Sequence, residues 1–274
     1  MGIDTTRRGF LGGVAGIAPL AVAADLSAAG SETVPFKLGV TTYSLRALPR
    51  GLAIDFIKSL KTPYISIKEV HLPYRSTPEE LAQGRKEFEN AGLKIMSGGT
   101  ITLAQNDEAD MRKYFDYAQA CGMPMMVCGA TPENVKLLER LVKEYGIRAA
   151  IMNRGDRNFP TPESVVEAVK DLDPRLGLCM DVTRAGPGVV QSIARAGSRM
   201  LDMHMKDQKA AADGGGPCDV GEGIVPVVDV FKQLRAMSYQ GCVNLEYEVN
   251  TETPQNGILK SFGYMRGVLA GFAG

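Results

Sequence analysis

Acidic, basic and amide side chains follow several short apolar runs in this sequence. They occur in the segments Lys68-Glu69-Val70-His71, Met152-Asn153-Arg154, Met180-Asp181, His204-Met205-Lys206 and Glu246-Tyr247-Glu248. Because alternate residues of a strand share a face, Glu246 lies on the same face as Glu248. His204 and Lys206 share a face for the same reason. Side chains of these types transfer protons and stabilise negative charge on oxygen, so we expect the inward-pointing members to form a catalytic site.

Repeated strands and helices must position these groups. From Lys37 onward, short apolar runs alternate with amphipathic stretches, a pattern typical of a parallel sheet with crossover helices. We predict eight strands, at 37–45, 64–70, 94–101, 124–128, 148–153, 176–182, 200–205 and 242–247. Helices are expected to begin at Thr77-Pro78, Thr131-Pro132 and Thr161-Pro162, where a capping hydroxyl precedes a proline.

The fold that this pattern predicts is α/β, a single (β/α)8 TIM barrel. A doubly wound open sheet is the competing layout, but no G-x-G-x-x-G motif follows the first strand, and eight evenly spaced units favour closure. In such a barrel the catalytic groups lie at the C-terminal ends of the strands, where the βα loops form the mouth. The polar segments above occupy those ends.

The composition disfavours several classes of function. Lys and Arg number 31 and Asp and Glu number 31, so no net charge is available to capture nucleic acid. The five cysteines form no C-x-x-C pair, which indicates neither a disulfide framework nor a zinc finger. Beyond the N-terminus no apolar run reaches the roughly 18 to 20 residues of a membrane span, so we expect no stable membrane insertion after signal removal.

The N-terminus carries the features of an export signal. Thr6-Arg7-Arg8-Gly9-Phe10-Leu11 precedes a weakly apolar stretch containing Ala21-Val22-Ala23, a small-residue cleavage pattern. We predict a twin-arginine signal peptide at 1–23, a linker at 24–36 and the barrel at 37–274. The protein is therefore expected in the periplasm, or otherwise exported by the twin-arginine route.

Five ordered segments carry a family resemblance: ISIKEVHLP at 65–73, DPRLGLCMD at 173–181, DMHMKD at 202–207, VGEG at 220–223 and NLEYE at 244–248. Together they resemble the sugar phosphate isomerase/epimerase proteins of the xylose isomerase-like TIM-barrel superfamily, which is also related to endonuclease IV. The resemblance implies isomerisation or epimerisation of a sugar or keto-sugar. In that reaction a base removes a proton next to a carbonyl, and an enediolate forms.

The resemblance also implies a divalent metal held by Asp181, His204 and Glu246. Two carboxylates and an imidazole suit Mn²⁺, Zn²⁺ or Fe²⁺. Where close family members read His-Asn-His-Gly after the fifth strand, this chain has Met152-Asn153-Arg154-Gly155. A soft thioether and an additional cation are expected to weaken metal binding, so a metal-bound and a metal-free site both stay open.

The implied chemistry assigns roles to the remaining polar residues. Glu246 is the candidate base, and in the metal-free case Lys206 and Arg154 supply the positive charge that stabilises the enediolate. Candidate contacts to the sugar substrate are Tyr43, Glu69, His71, Asn153 and Glu248. Self-association of the chain is left open.

Three other functions stay open. A barrel that has lost two histidines could bind a sugar without catalysing any reaction, as a pseudoenzyme. A lyase or hydrolase of oxidised (keto) glycosides would use the same proton abstraction, followed by elimination. DNA repair of the endonuclease IV kind is disfavoured, because the net charge is zero and the chain has only two histidines.

Overall fold

Eight parallel strands close into a barrel. The computed structural model describes residues 1–2, 35–155 and 158–272, and those from 35 onward belong to one compact unit. The barrel strands are β1 (Lys37–Thr41), β2 (Tyr64–Ile67), β3 (Lys94–Thr102), β4 (Met125–Gly129), β5 (Arg148–Met152), β6 (Leu176–Asp181), β7 (Met200–Met205) and β10 (Cys242–Leu245). Strand β1 pairs with both β2 and β10, which closes the barrel and confirms the predicted TIM fold.

Helices follow the strands along the chain. They are α1 (Arg50–Ser59), α2 (Pro78–Asn90), α3 (Glu108–Ala120), α4 (Val135–Tyr145), α5 (Pro162–Val169), α6 (Val182–Ala185), α7 (Val189–Ala196), α8 (Val227–Ala236) and α9 (Gln255–Ala270). After β7 the chain also forms a short antiparallel hairpin of β8 (Asp207–Gln208) and β9 (Pro217–Cys218). Within the described part of the chain, no helix has the length and apolar character to cross a membrane.

The predicted helix starts are confirmed by their hydrogen bonds. The Thr77 hydroxyl accepts from the backbone N–H of Glu80, whose carboxylate accepts from the N–H of Thr77 in return. Thr161 caps α5 in the same way. Thr131-Pro132 differs, because it opens a 3₁₀ turn at Pro132–Asn134 that leads into α4.

Three of the predicted strands end two or more residues earlier than expected, and side-chain hydrogen bonds accompany two of these ends. After β1 the chain turns through a 3₁₀ helix at Thr42–Leu45. Lys68 N donates to Thr42 Oγ1, so β2 ends at Ile67. Tyr247 N donates to Ser44 Oγ, so β10 ends at Leu245. The residues after these ends therefore lie on loops at the mouth.

A buried polar network crosses the interior of the barrel below the mouth. Asp202 accepts from Ser97 Oγ at 2.6 Å and from Asn244 Nδ2 at 2.8 Å. Ser97 Oγ also lies 2.9 Å from Ser66 Oγ. All four side chains are buried, and these bonds satisfy groups that would otherwise be costly to remove from water.

Nearly all of the predicted signal peptide at 1–23 and of the linker at 24–36 lies outside the described residues. Their boundaries therefore stay predictions. The barrel predicted from residue 37 begins with β1 at that residue.

Candidate active site

Three carboxylates surround the ammonium of Lys206 at the C-terminal end of the barrel. Lys206 Nζ lies 2.5 Å from Glu246 Oε2, 3.1 Å from Glu248 Oε2 and 3.3 Å from Asp181 Oδ2. Lys206 follows β7, Glu246 and Glu248 follow β10, and Asp181 ends β6. The structure thus brings Asp181, Lys206, Glu246 and Glu248 together at the mouth.

The electrostatics favour the ionised forms of Lys206 and Glu246. Burial opposes the charged form of Lys206, but Glu246, Asp181 and Glu248 outweigh it and raise the pKa of the ammonium above its usual value. Burial likewise opposes ionisation of Glu246, but His204 and Lys206 hold the pKa of its carboxyl well below the usual range. The Glu246 carboxylate and the Lys206 ammonium are therefore in direct contact in their charged forms.

Asp181 uses its two oxygens for different tasks. Oδ2 faces Lys206, while Oδ1 accepts from Thr183 N, Thr183 Oγ1 and Arg184 N, which caps the short helix α6. The Asn153 side chain accepts from Asp181 N at 2.8 Å and donates to Asp181 O at 3.1 Å. Asn153 was predicted to bind substrate, but its amide is fully buried and occupied with the Asp181 backbone, so it positions that residue instead.

His204 lies one layer below Lys206 and is fully buried. Its Nδ1 is 3.3 Å from Glu246 Oε2, but among the described residues neither ring nitrogen has a hydrogen-bond partner of good geometry. Although burial opposes protonation, Cys179 and Glu246 outweigh that effect and raise the pKa of the imidazole well above 6.5. His204 thus lies against Glu246 from below.

The donor set at the mouth does not fit a divalent metal. The Lys206 ammonium already stands between Asp181 and Glu246, and a second cation there would be repelled. Met152 Sδ accepts a weak hydrogen bond from Thr100 Oγ1 at 3.7 Å and offers only a soft ligand. A metal on Asp181, His204 and Glu246 stays a prediction that rests on the family resemblance.

A different group of potential metal ligands lies deeper in the barrel. In residues 35–155 and 158–272, the group whose ligand atoms all lie within 4.8 Å of one another is Cys179, Asp202 and His204. Burial raises the pKa of the Cys179 thiol to about 11, which opposes the thiolate form that a metal requires. Asp202 already accepts hydrogen bonds on both oxygens. The donor types suit zinc, but the hydrogen-bonding and protonation states favour a metal-free polar core.

Two adjoining cavities open above the Lys206 group. The first, of about 290 Å³, is lined by Tyr43, Lys68, Thr100, Met152, Arg154, Asp181, Arg184, Lys206, Glu246 and Glu248. The second, of about 240 Å³, extends under the β8–β9 hairpin and shares Arg184, Lys206, Glu246 and Glu248 with the first. Tyr43, Arg154 and Glu248 were predicted from the sequence, and the structure brings all three to the first cavity.

Arg154 lies at the edge of this cavity. Its side chain is exposed, its Nη1 is 3.4 Å from Thr102 Oγ1, and its guanidinium packs over Gly129 at the end of β4. The Arg154 charge therefore faces the cavity from the β3–β4 side.

The structure does not bring Glu69 and His71 into the lining of either mouth cavity. Because β2 ends at Ile67, both residues lie in a turn and not on one face of a strand, which corrects the sequence prediction. His71 Nε2 lies 3.1 Å from Leu48 O, and burial lowers the pKa of this imidazole. Glu69 Oε2 lies 3.0 Å from Lys68 Nζ. Their predicted contact with substrate is therefore indirect at most.

Sequence reasoning missed the roles of Lys68 and Arg184. Lys68 crosses into the cavity, donates to Thr100 O at 3.0 Å and lies near the Tyr43 ring. The alternation of Ile65 and Ile67 with Ser66 and Lys68 was the available signal, because it assigns the polar pair to the barrel interior. Arg184 had no such signal, since it lies on the four-residue helix α6.

The carboxylate of Asp207 holds the loop that contains Gly221-Glu222-Gly223. It accepts from the backbone N–H groups of Gln208, Gly221, Gly223 and Val225, at 2.8 to 3.0 Å. A Cβ on Gly223 would lie 2.2 Å from Asp207 Oδ1, so no other residue fits there without a shift. The two glycines thus shape the loop around Asp207.

Comparisons with known proteins agree with this architecture. A family model described as xylose isomerase-like TIM barrel matches residues 54–268. A solved D-psicose 3-epimerase with D-tagatose, from Clostridium cellulolyticum H10, is 13% identical with a TM-score of 0.69, and the match covers 85% of this chain and 99% of that one. A 3-keto-D-glucoside 4-epimerase from E. coli is 16% identical with a TM-score of 0.68, over 85% and 99% of the two chains.

An uncharacterised protein from Parabacteroides distasonis ATCC 8503 is 22% identical with a TM-score of 0.67, over 85% of this chain and 99% of that one. No curated protein matches the sequence. At these identities the likeness to solved structures shows a common fold and no more.

Proposed function

The chain belongs to the xylose isomerase-like TIM-barrel family, and on that premise we propose that it is an isomerase or epimerase acting on a sugar or keto-sugar. Two of its structural neighbours are a D-psicose 3-epimerase and a 3-keto-D-glucoside 4-epimerase, which supports this class of reaction. The observation that carries the proposal is the contact of 2.5 Å between Lys206 Nζ and Glu246 Oε2 at the floor of an open cavity.

In the proposed reaction, Glu246 removes the proton from the carbon next to the substrate carbonyl. The C–H electron pair becomes the double bond of an enediolate, and the carbonyl oxygen becomes negative. Lys206 donates a hydrogen bond to that oxygen and stabilises its charge. In epimerisation a proton from solvent then adds to the opposite face of the same carbon, and Glu246 releases its own proton to solvent. In isomerisation Glu246 returns its proton to the neighbouring carbon, while a proton passes from one enediolate oxygen to the other.

The low pKa of Glu246 requires that substrate change its surroundings. With Lys206 in contact, the carboxylate is a weak base. A substrate oxygen that accepts from Lys206 draws the ammonium away, because the same N–H groups cannot serve both oxygens. The pKa of Glu246 then rises towards its ordinary range when the proton must be taken, and no metal enters any of these steps.

The experiment is proton exchange with solvent. The purified protein is incubated in D₂O with a panel of ketoses, aldoses and keto-glycosides, and NMR follows both deuterium uptake and product. We expect exchange at the carbon next to the carbonyl, and a fall of about 100-fold or more in Glu246→Gln and Lys206→Met. Lys232→Met is the matched control, because Lys232 is an exposed lysine on α8.

Each rival function predicts a different result. Sugar binding without exchange in any substrate would favour a pseudoenzyme. Exchange followed by release of an aglycone from a keto-glycoside would favour a lyase or hydrolase. Exchange that survives in Glu246→Gln would show that Glu246 is not the base.

A further inference from the structure

The described residues that line the first mouth cavity include more cationic than acidic side chains. Its lining includes four cationic and three carboxylate side chains, so it carries a net charge of +1. All three carboxylates, Asp181, Glu246 and Glu248, contact Lys206. The lining carboxylates thus contact Lys206, and none of them is paired with Arg184.

Arg184 differs from the other cations in its lack of a partner. In the described ranges 35–155 and 158–272, its guanidinium makes no hydrogen bond or ion pair. By contrast, Lys68 contacts Glu69 Oε2 and Thr100 O, each at 3.0 Å. Five N–H donors of Arg184 are therefore available to a ligand.

The position of Arg184 is nevertheless defined by the site. Its backbone N–H donates to Asp181 Oδ1 at 3.2 Å, and the other oxygen of Asp181 contacts Lys206. Arg184 lines both mouth cavities, so it stands where the two spaces join. The side chain is exposed at its solvent edge, which leaves room for a substituent of the substrate.

We propose that Arg184 binds an oxyanion on the substrate, and that the substrate is an acidic sugar whose carboxylate lies away from the reacting carbons. This inference rests on the proposed function and names its substrate class. The planar guanidinium matches a carboxylate with two parallel hydrogen bonds. Lys68 and Arg154 line the same cavity, where cationic side chains outnumber carboxylates, which favours an anion.

A phosphate offers the same charge and acceptor oxygens, so the test includes it as a second source. A carboxylate is favoured because the lining has no glycine-rich backbone cradle of the kind that binds phosphate. Gly216 is the single glycine among the residues that line the two cavities.

Equilibrium binding tests the inference without any need for turnover. Isothermal titration of the full chain compares D-glucuronate and D-fructose 6-phosphate with the neutral D-glucose and D-fructose. We expect the carboxylate sugar to bind at least tenfold more tightly than its neutral counterpart, and Arg184→Gln to remove that preference. Arg184→Lys should retain part of it, because the charge stays while the bidentate geometry is lost. Arg195→Gln on α7 makes the same change of charge at an exposed arginine outside the cavities and should have no effect.

A preference for the phosphate sugar that disappears in Arg184→Gln would also support an oxyanion site and would identify phosphate as its ligand. Equal binding of acidic and neutral sugars, or an anion preference that persists in Arg184→Gln, would overturn the inference. Exchange of deuterium into neutral sugars with no anion preference would overturn it while leaving the proposed function intact. Anion-selective binding with no exchange in any sugar would overturn the proposed function alone.

Discussion

Lys206 Nζ and Glu246 Oε2 are 2.5 Å apart, although the two residues follow different strands and are 40 positions apart in the chain. The lysine side chain is 15% exposed and the glutamate side chain 10%, so water screens the pair little. Each partner keeps the other charged. The pair is therefore both the centre of the proposed reaction and a structural element.

Removal of Lys206 should destabilise the fold. Lys206→Met leaves three carboxylates close together without their cation, and breaking a buried ion pair in this way costs about 3 to 5 kcal/mol. The free energy of unfolding in urea measures the loss. Lys232→Met breaks an exposed contact with Asp229 and should cost less than about 1 kcal/mol. Equal losses in the two variants would contradict a structural role for the Lys206 group.

Glu246 should contribute to the acid sensitivity of the protein. Its folded-state pKa is depressed, so its ionised form adds stability that is present above the unfolded-state pKa of about 4.3. That stability is lost as the pH falls through the lower, folded-state pKa. Between pH 6 and pH 3, unfolding free energies should fall more steeply for wild type than for Glu246→Gln. Glu252→Gln changes an exposed carboxylate and should follow wild type; parallel curves for all three proteins would refute the prediction.

Divalent metals should bind better once the mouth is altered. Lys206→Met with Met152→His removes the ammonium between the carboxylates and replaces a thioether with an imidazole, and both changes favour a cation. Titration calorimetry with Mn²⁺ and Zn²⁺ should show at least tenfold higher affinity than in wild type. Lys206→Met with Met152→Leu controls for the charge change alone. Met152→His with Arg154→His tests the arginine separately, and tight metal binding by wild type would show that neither Lys206 nor Met152 weakens the site.

Asp207 should stabilise the loop that follows β7. Its buried carboxylate accepts four backbone hydrogen bonds, and an amide can accept on only one of its two terminal atoms. Asp207→Asn should therefore lower the unfolding free energy by about 2 kcal/mol or more and speed proteolysis between 208 and 225. Asp213→Asn, at an exposed position of the same segment, is the control. An unchanged proteolysis rate in Asp207→Asn would count against this role.

Export should depend on the two arginines near the N-terminus. Arg7→Lys with Arg8→Lys alters the twin-arginine motif, and the protein should then stay in the cytoplasm with an unchanged melting temperature. Cell fractionation followed by immunoblotting measures the distribution. Normal appearance of the double variant in the periplasm would remove the prediction of twin-arginine export.

The eightfold repeat was predictable because its signals are local. Capping residues such as Thr77 and Thr161 act within one helical turn, and apolar runs mark buried strands wherever they occur. The strand ends were less predictable, because they depend on distant side chains. Tyr247 leaves the ladder because Ser44, 203 residues earlier, accepts its N–H.

The candidate site shows the same contrast between local sequence signals and contacts made by distant residues. Their positions at predicted strand ends were enough to select four site residues, Asp181, Lys206, Glu246 and Glu248. The family resemblance also pointed to these segments. The contact of Lys206 with all three acids depends on the angles at which three strands meet, which no local pattern encodes. The sequence also predicted that Asn153 binds substrate. Its hydrogen bonds to the Asp181 backbone depend on the pairing of β5 with β6, which no local pattern reveals.

The buried hydrogen bond from Asn244 to Asp202 constrains the register of β7 against β10. A strand that slips by one residue turns every side chain to its other face, so a one-residue slip of β7 against β10 would break this bond. Lys206 and Glu246 lie four and two residues beyond Asp202 and Asn244, just past the ends of β7 and β10. A purely aliphatic interior would tolerate neighbouring alignments at little cost. The hydrogen bond between Asn244 and Asp202 thus helps to fix the register of β7 against β10. That register in turn sets the distance between Lys206 and Glu246 at the mouth.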